Sequence, residues 1–132
     1  MIRRALFHPR ATEAERVRSF VTDALTRWRL LQRVPDDEAR LVATELFSNA
    51  IRHARHDGER LPVVVCWDDE VLRIEVHDPD PRQPVPSWHG AEEDSGRGLL
   101  LVEALSYRWG TLPIHDGGKC VYAELAPLKP DE

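Results

Sequence analysis

The chain has 132 residues, 42% of them hydrophobic and 31% charged, with a formal net charge of −5. This is the make-up of one globular domain with room for a single two-layer core. The acidic balance gives no footprint for direct nucleic-acid binding, and no apolar run approaches a membrane span or the hydrophobic part of a signal peptide, so a cytoplasmic protein is expected.

In chain order, Arg3 to Phe7 reads as a short strand closed by Pro9. Thr12-Glu-Ala-Glu15 has capping-box spacing, and Ala14, Val17, Phe20, Val21, Ala24, Leu25 and Trp28 recur at helical intervals, which predicts a first helix running to Leu31. Pro35-Asp-Asp37 is a start signal and Asp57-Gly58 a stop, so a second helix is expected from about Asp36 to His56. On it Ala39, Val42, Ala43, Leu46, Phe47, Ala50 and Ala54 form one apolar arc. Arg40, Thr44, Ser48, Arg52 and Arg55 fall on the outer face, with Ile51 as a misfit among them. Glu45, Asn49 and His53, at i, i+4 and i+8, make a polar line along the border of the arc. A carboxylate and a carboxamide there are costly unless they are hydrogen-bonded or face a ligand. An ordinary amphipathic helix with satisfied rim groups is the alternative.

Pro62 to Trp67 and Val71 to His77 read as a hairpin around Asp68-Asp-Glu70. Period two places Asp78 on the core side, in line with Ile74 and Val76, where a carboxylate needs a partner. From Pro79 to Ser95 there is no periodicity; four prolines and the acidic Glu92-Glu-Asp94 describe an irregular loop of the length that lids have. Gly96-Arg-Gly98 then opens a third helix at Leu99 to Leu105, with Leu101, Val102 and Leu105 as its expected core contacts. Trp109-Gly110 begins a strand, His115-Asp-Gly-Gly118 is a turn, and Lys119 to Leu125 is a last strand that points Val121, Ala123 and Leu125 inward. The expected architecture is α+β, a single domain over 1–132: a two-layer sandwich of a mixed, mostly antiparallel sheet with three helices on one face.

Three features become informative together. Glu45 and Asn49 sit on a helix rim, Asp78 leaves a strand on its core side, and the glycine pair precedes a helix whose amides can hold an anion. A nucleotide fits this set, with Asp78 for an exocyclic amino group, Asn49 as an oxygen ligand for Mg²⁺, the glycine turn for phosphates, and Glu45 to orient or deprotonate a nucleophile. Asp78 and Asp80 also admit a two-carboxylate metal site, against which the prolines between and after them favour a solvated turn.

Glu45/Asn49/His53-Ala54, Val76-His-Asp78, Gly96-Arg-Gly98-Leu99, Trp109-Gly110 and Gly118-Lys119, in that order, resemble the N, G1 and G2 boxes of the GHKL ATPases. Within that superfamily the chain looks like the small anti-sigma factors of actinomycete type that are also serine kinases. The resemblance runs from about Arg3 to Leu125 and implies a Bergerat-type ATP-binding fold. It implies ATP and Mg²⁺ as cofactors, with Asn49 on Mg²⁺, Glu45 as general base and Asp78 on adenine. Gly96, Gly98 and Leu99 would hold phosphate under a lid at about 79–96. Arg97 and Arg52 are further candidate phosphate contacts, and His53 matches the family's N-box histidine. One departure stands out: the usual Asp-x-Gly-x-Gly is here Asp78-Pro-Asp-Pro-Arg82, without either glycine.

The function so implied is an anti-sigma factor that phosphorylates a serine of an anti-anti-sigma partner and sequesters a sigma factor when that partner is absent. Homodimerisation is implied too, and Val63-Val-Val-Cys-Trp67, apolar on both strand faces, fits a covered outer sheet face. The alternative is a nucleotide-gated or nucleotide-independent interaction module without kinase activity.

Overall fold

A computed structural model describes residues 1–53, 58–81, 94–115 and 117–130. The elements are β1 (Ile2–Phe7), α1 (Ala14–Arg27), α2 (Asp36–His53), β2 (Leu61–Trp67), β3 (Leu72–Asp78), α3 (Asp94–Leu105), β4 (Arg108–Pro113) and β5 (Lys119–Leu125). The strands form one sheet in the order β1-β2-β3-β5-β4. Every pairing among the described residues is antiparallel, so the parallel component of the expected mixed sheet is not found.

Alternation along the strands decides which layer meets the helices. Val63 and Val65 on β2, Ile74 and Val76 on β3, and Val121 and Ala123 on β5 are buried in one cluster with Val42, Leu46 and Phe47 of α2. Phe7 of β1 packs edge-on against Phe20 and Phe47, with ring centroids 5.7 and 6.0 Å away, and so pins the first strand under α1 and α2. The helices therefore cover one face, and the other face carries the intervening residues Arg73, Glu75, His77 and Tyr122.

Several boundaries differ from those expected. A short 3₁₀ turn at Ala11–Glu13 precedes α1, and the N-cap is Glu13, not Thr12; no side-chain cap bond forms there. Glu13 is buried, and its carboxylate accepts from the His8 amide and the Arg16 guanidinium. Helix α1 stops at Arg27 because Arg29 adopts a left-handed φ of 58° and the Leu30 amide donates back to the Leu25 carbonyl at 2.8 Å, which buries Leu30. On α2, Thr44 is buried, not on the solvent side. Its hydroxyl donates to the carbonyls of Arg40 and Leu41, local bonds that satisfy it in a buried position. Ile51 is no misfit, since it packs against the core.

Helix α3 begins at Asp94, well before Leu99, so Gly96 and Gly98 are inside the helix and do not form a turn ahead of it. Acidic residues in a first turn favour such an early start. Leu99 and Val102 are buried with Leu105 packed beside them, a spacing of three that leaves Leu101 off the buried face and 36% exposed. Ala54, Arg55 and His56, and most of the expected lid, lie outside the described residues.

Candidate nucleotide site

Helix α2 packs against α3 and against β3, which brings its polar rim to the start of α3. There Glu45 of α2 meets Gly98 of α3. A Cβ on residue 98 would lie 2.5 Å from Glu45 Oε2 and 3.5 Å from its Cδ, so the glycine lets the carboxylate rest on the α3 backbone where a larger residue would make it swing aside. The first four amides of α3, those of Asp94 to Arg97, have no intrahelical acceptor and carry the positive end of the helix dipole. Glu45 thus stands beside a natural anion site while being an anion itself, a pairing that makes sense for a group that handles a proton next to bound phosphate.

One turn further along α2, Asn49 is 4% exposed and its Oδ1 has no hydrogen-bond partner among the described residues. Leaving a buried carbonyl oxygen unpaired costs on the order of 1–3 kcal/mol. A neutral oxygen of this kind is a normal ligand for a hard cation such as Mg²⁺, so the residue present fits the metal that the spacing suggested. His53 closes α2, and Gly96 and Arg97 lie in the first turns of α3; the side chains of His53 and Arg97 are outside the described residues. Arg52 is exposed. Leu99 does not join the site through its side chain, which is 2% exposed and belongs to the core.

The far end of the proposed site is organised differently. Asp78 points to the helix side of the sheet, as expected, and is 1% exposed. Its partner is Lys119, directly across in the β3–β5 register, with Nζ 3.3 Å from Asp78 Oδ2. The same ammonium donates to the Asp80 carbonyl at 2.5 Å, while the Asp80 amide donates to Asp78 Oδ1 at 2.8 Å. Asp80 is buried, which replaces the solvated turn expected here, and the Lys119 ammonium sits between the Asp78 carboxylate and the Asp80 carbonyl. Gly118 makes the wrap possible: a Cβ there would come within 2.3 Å of the Asp78 carbonyl and 2.9 Å of the Pro79 Cα. The lysine's role was recoverable from alternation, since Lys119 precedes Val121, Ala123 and Leu125 by even steps and so points inward beside a carboxylate in need of a partner.

With the fold and these two ends in view, the class is plain. The histidine kinase-like ATPase domain matches residues 7–124 of the chain, and the chain belongs to that family. Among curated proteins it is similar to an uncharacterized protein of Streptomyces coelicolor, at 40% identity over 60 residues, which are 42% of this chain and 57% of the relative. The chain thus spans little more than half the length of that relative. No helix among the described residues is long and apolar enough to cross a membrane.

Proposed function

We propose that the protein is an ATP- and Mg²⁺-dependent regulatory kinase, in which the α2 rim and the α3 N-terminus form the phosphate end of the site. The observation that supports this most directly is the buried Oδ1 of Asn49, without a partner among the described residues, one turn from a carboxylate beside Gly98. When bound, ATP with Mg²⁺ supplies the phosphoryl group and the cationic charge that phosphoryl transfer requires. The chain's own residues do the rest: Asn49 Oδ1 would hold the metal, the N-terminal α3 amides would hold anionic oxygens, and Glu45 accepts the proton of an incoming serine hydroxyl. The acceptor is the serine of an anti-anti-sigma protein, and the unphosphorylated partner competes with a sigma factor for this chain. A homodimer is part of the proposal, with Ile2, Leu6 and Leu112 as exposed apolar groups on the outer part of the sheet. Sedimentation giving a monomer at tens of micromolar removes that part.

The kinase step is tested with Glu45→Gln, which keeps the shape of the side chain. Nucleotide binding should persist while transfer to serine falls by about 10²–10⁴-fold, the usual worth of a positioned base. An unchanged transfer rate removes Glu45 from the chemistry. A second reading, a protein-interaction module that has kept the ATPase fold, is favoured by the Asp78–Lys119 pair, because the carboxylate that would meet a base amino group already has a cation. That reading predicts partner binding with no dependence on ATP.

A further inference from the structure

On the open face of the sheet, away from the helices, β3 and β5 set three chemically distinct ligands side by side. Glu75 and His77 are two apart on β3 and so share a face, and His77 is the register partner of Cys120 on β5. One ligand atom from each, a carboxylate oxygen, an imidazole nitrogen and Sγ, lie within 4.8 Å of one another. His77 Nε2 is already 3.0 Å from Glu75 Oε1. Cys120 is buried, while Glu75 and His77 remain 18% and 26% exposed, so the cluster is closed on the protein side and open to water on one side.

We propose that Glu75, His77 and Cys120 form a binding site for a divalent transition metal, best suited to Zn²⁺, with a fourth position open to water.

Thiolate, imidazole and carboxylate together select zinc over Mg²⁺ or Ca²⁺, which take oxygen ligands. The donor atoms project from adjacent strands of one rigid sheet, and rotamer adjustments of a few tenths of an ångström to about 1 Å close them to tetrahedral spacing. The surroundings already do what metal sites ask of a supporting residue. Arg73 Nε donates to Glu75 Oε2 at 2.7 Å, which fixes the carboxylate and leaves Oε1 directed at the histidine. Arg73 is itself held by Glu124 and lies 3.9 Å over the Tyr122 ring. Its repulsion of a metal ion is offset by Glu124 and by the ligand carboxylate and thiolate. In the metal-free protein, burial and the neighbouring Glu75 push the Cys120 thiol up to about 12, so it carries a proton at neutral pH. Binding displaces that proton to solvent and forms the sulfur–metal bond, while the His77 ring proton passes through water from Nε2 to Nδ1, so that the His77–Glu75 hydrogen bond gives way to two ligand bonds. No oxidation or reduction is involved. Cys66 also lies on the open face but pairs in register with Arg73, not with a ligand of this set, which makes it a control.

The test is to strip the protein with a chelator and titrate it with Co²⁺, following the thiolate-to-cobalt charge-transfer band, and then to displace the cobalt with Zn²⁺. The expected result is one equivalent bound, with tight displacement by Zn²⁺, no competition from Mg²⁺, and a rise in melting temperature on loading. Cys66→Ser should behave as wild type. Cys120→Ser should lose the charge-transfer band, and His77→Gln should weaken Co²⁺ affinity by about tenfold or more. Absence of the band in the wild-type protein, its survival in Cys120→Ser, or undiminished affinity in His77→Gln would each overturn the proposal. His77→Gln decides the matter if Cys120→Ser does not fold, since the histidine is partly exposed and outside the core cluster.

Discussion

The two ends of the candidate nucleotide site satisfy their buried polar groups in opposite ways. At the β3–β5 end, Asp78 has a lysine, a backbone amide and a tight glycine-lined crossing around it, and its ion pair is complete within the chain. At the α2–α3 end, Asn49 Oδ1 is buried with no partner among the described residues, and the first α3 amides have no acceptor within their own helix. A fold that spends its interactions on one end and leaves them unspent at the other indicates where a ligand gains most. Here that is the phosphate and metal end, with the base end serving as much to hold β3 against β5.

The largest effect that would sharpen this contrast is in the closed end. Lys119→Met leaves a buried carboxylate without its cation and should cost about 3–5 kcal/mol, read by urea denaturation. Adding Asp78→Asn should restore most of that loss. If Lys119→Met alone is harmless, the pair is not what holds the strands. Next is Gly118→Ala, whose added methyl meets backbone, which cannot swing aside as a side chain can. A loss of about 1–3 kcal/mol is expected. In the open end the expectation reverses: Asn49→Ala removes an acceptor that bonds nothing among the described residues, so stability should fall by less than about 1 kcal/mol. A larger loss would mean that the carboxamide is structural. The smallest effect lies at the opposite end of the β2–β3 hairpin. There Asp68 accepts from the amides of Glu70 and Val71 at 2.8 Å each, and these bonds hold its carboxyl below the ordinary 3.8. A lowered folded-state value stabilises the protein above pH 3.8, and the benefit is lost as the pH falls through the lowered value. Asp68→Ala should therefore be slightly less stable than wild type at pH 7, and the gap should close in acid. A gap that is flat with pH would show that the charge is irrelevant.

Much of this was legible from spacing alone. The rim positions of Glu45 and Asn49 follow from a 100° period, the inward turn of Asp78 from a period of two, and the element order from the punctuation between apolar runs. What escaped was set by contacts distant in sequence. Thr44 looked solvent-facing, but tertiary packing buries it. Leu99 looked like part of a phosphate loop, but the helix starts early enough to turn it into the core. Asp80 looked like a solvated turn residue because nothing local shows that its carbonyl receives a lysine from the last strand. The missing glycines after Asp78 were visible, and the Asp78–Lys119 pair that occupies this end is recognisable once the inward alternation of β5 is extended back to residue 119.

The most direct test of the account is a calorimetric titration with ATP and Mg²⁺ of the wild-type chain beside folded Asn49→Ala. The account predicts that the wild type binds and that the variant, of nearly equal stability, binds at least about tenfold more weakly, because it has lost a metal ligand. Equal binding by the two proteins, or no binding by the wild type at millimolar ATP, would contradict it.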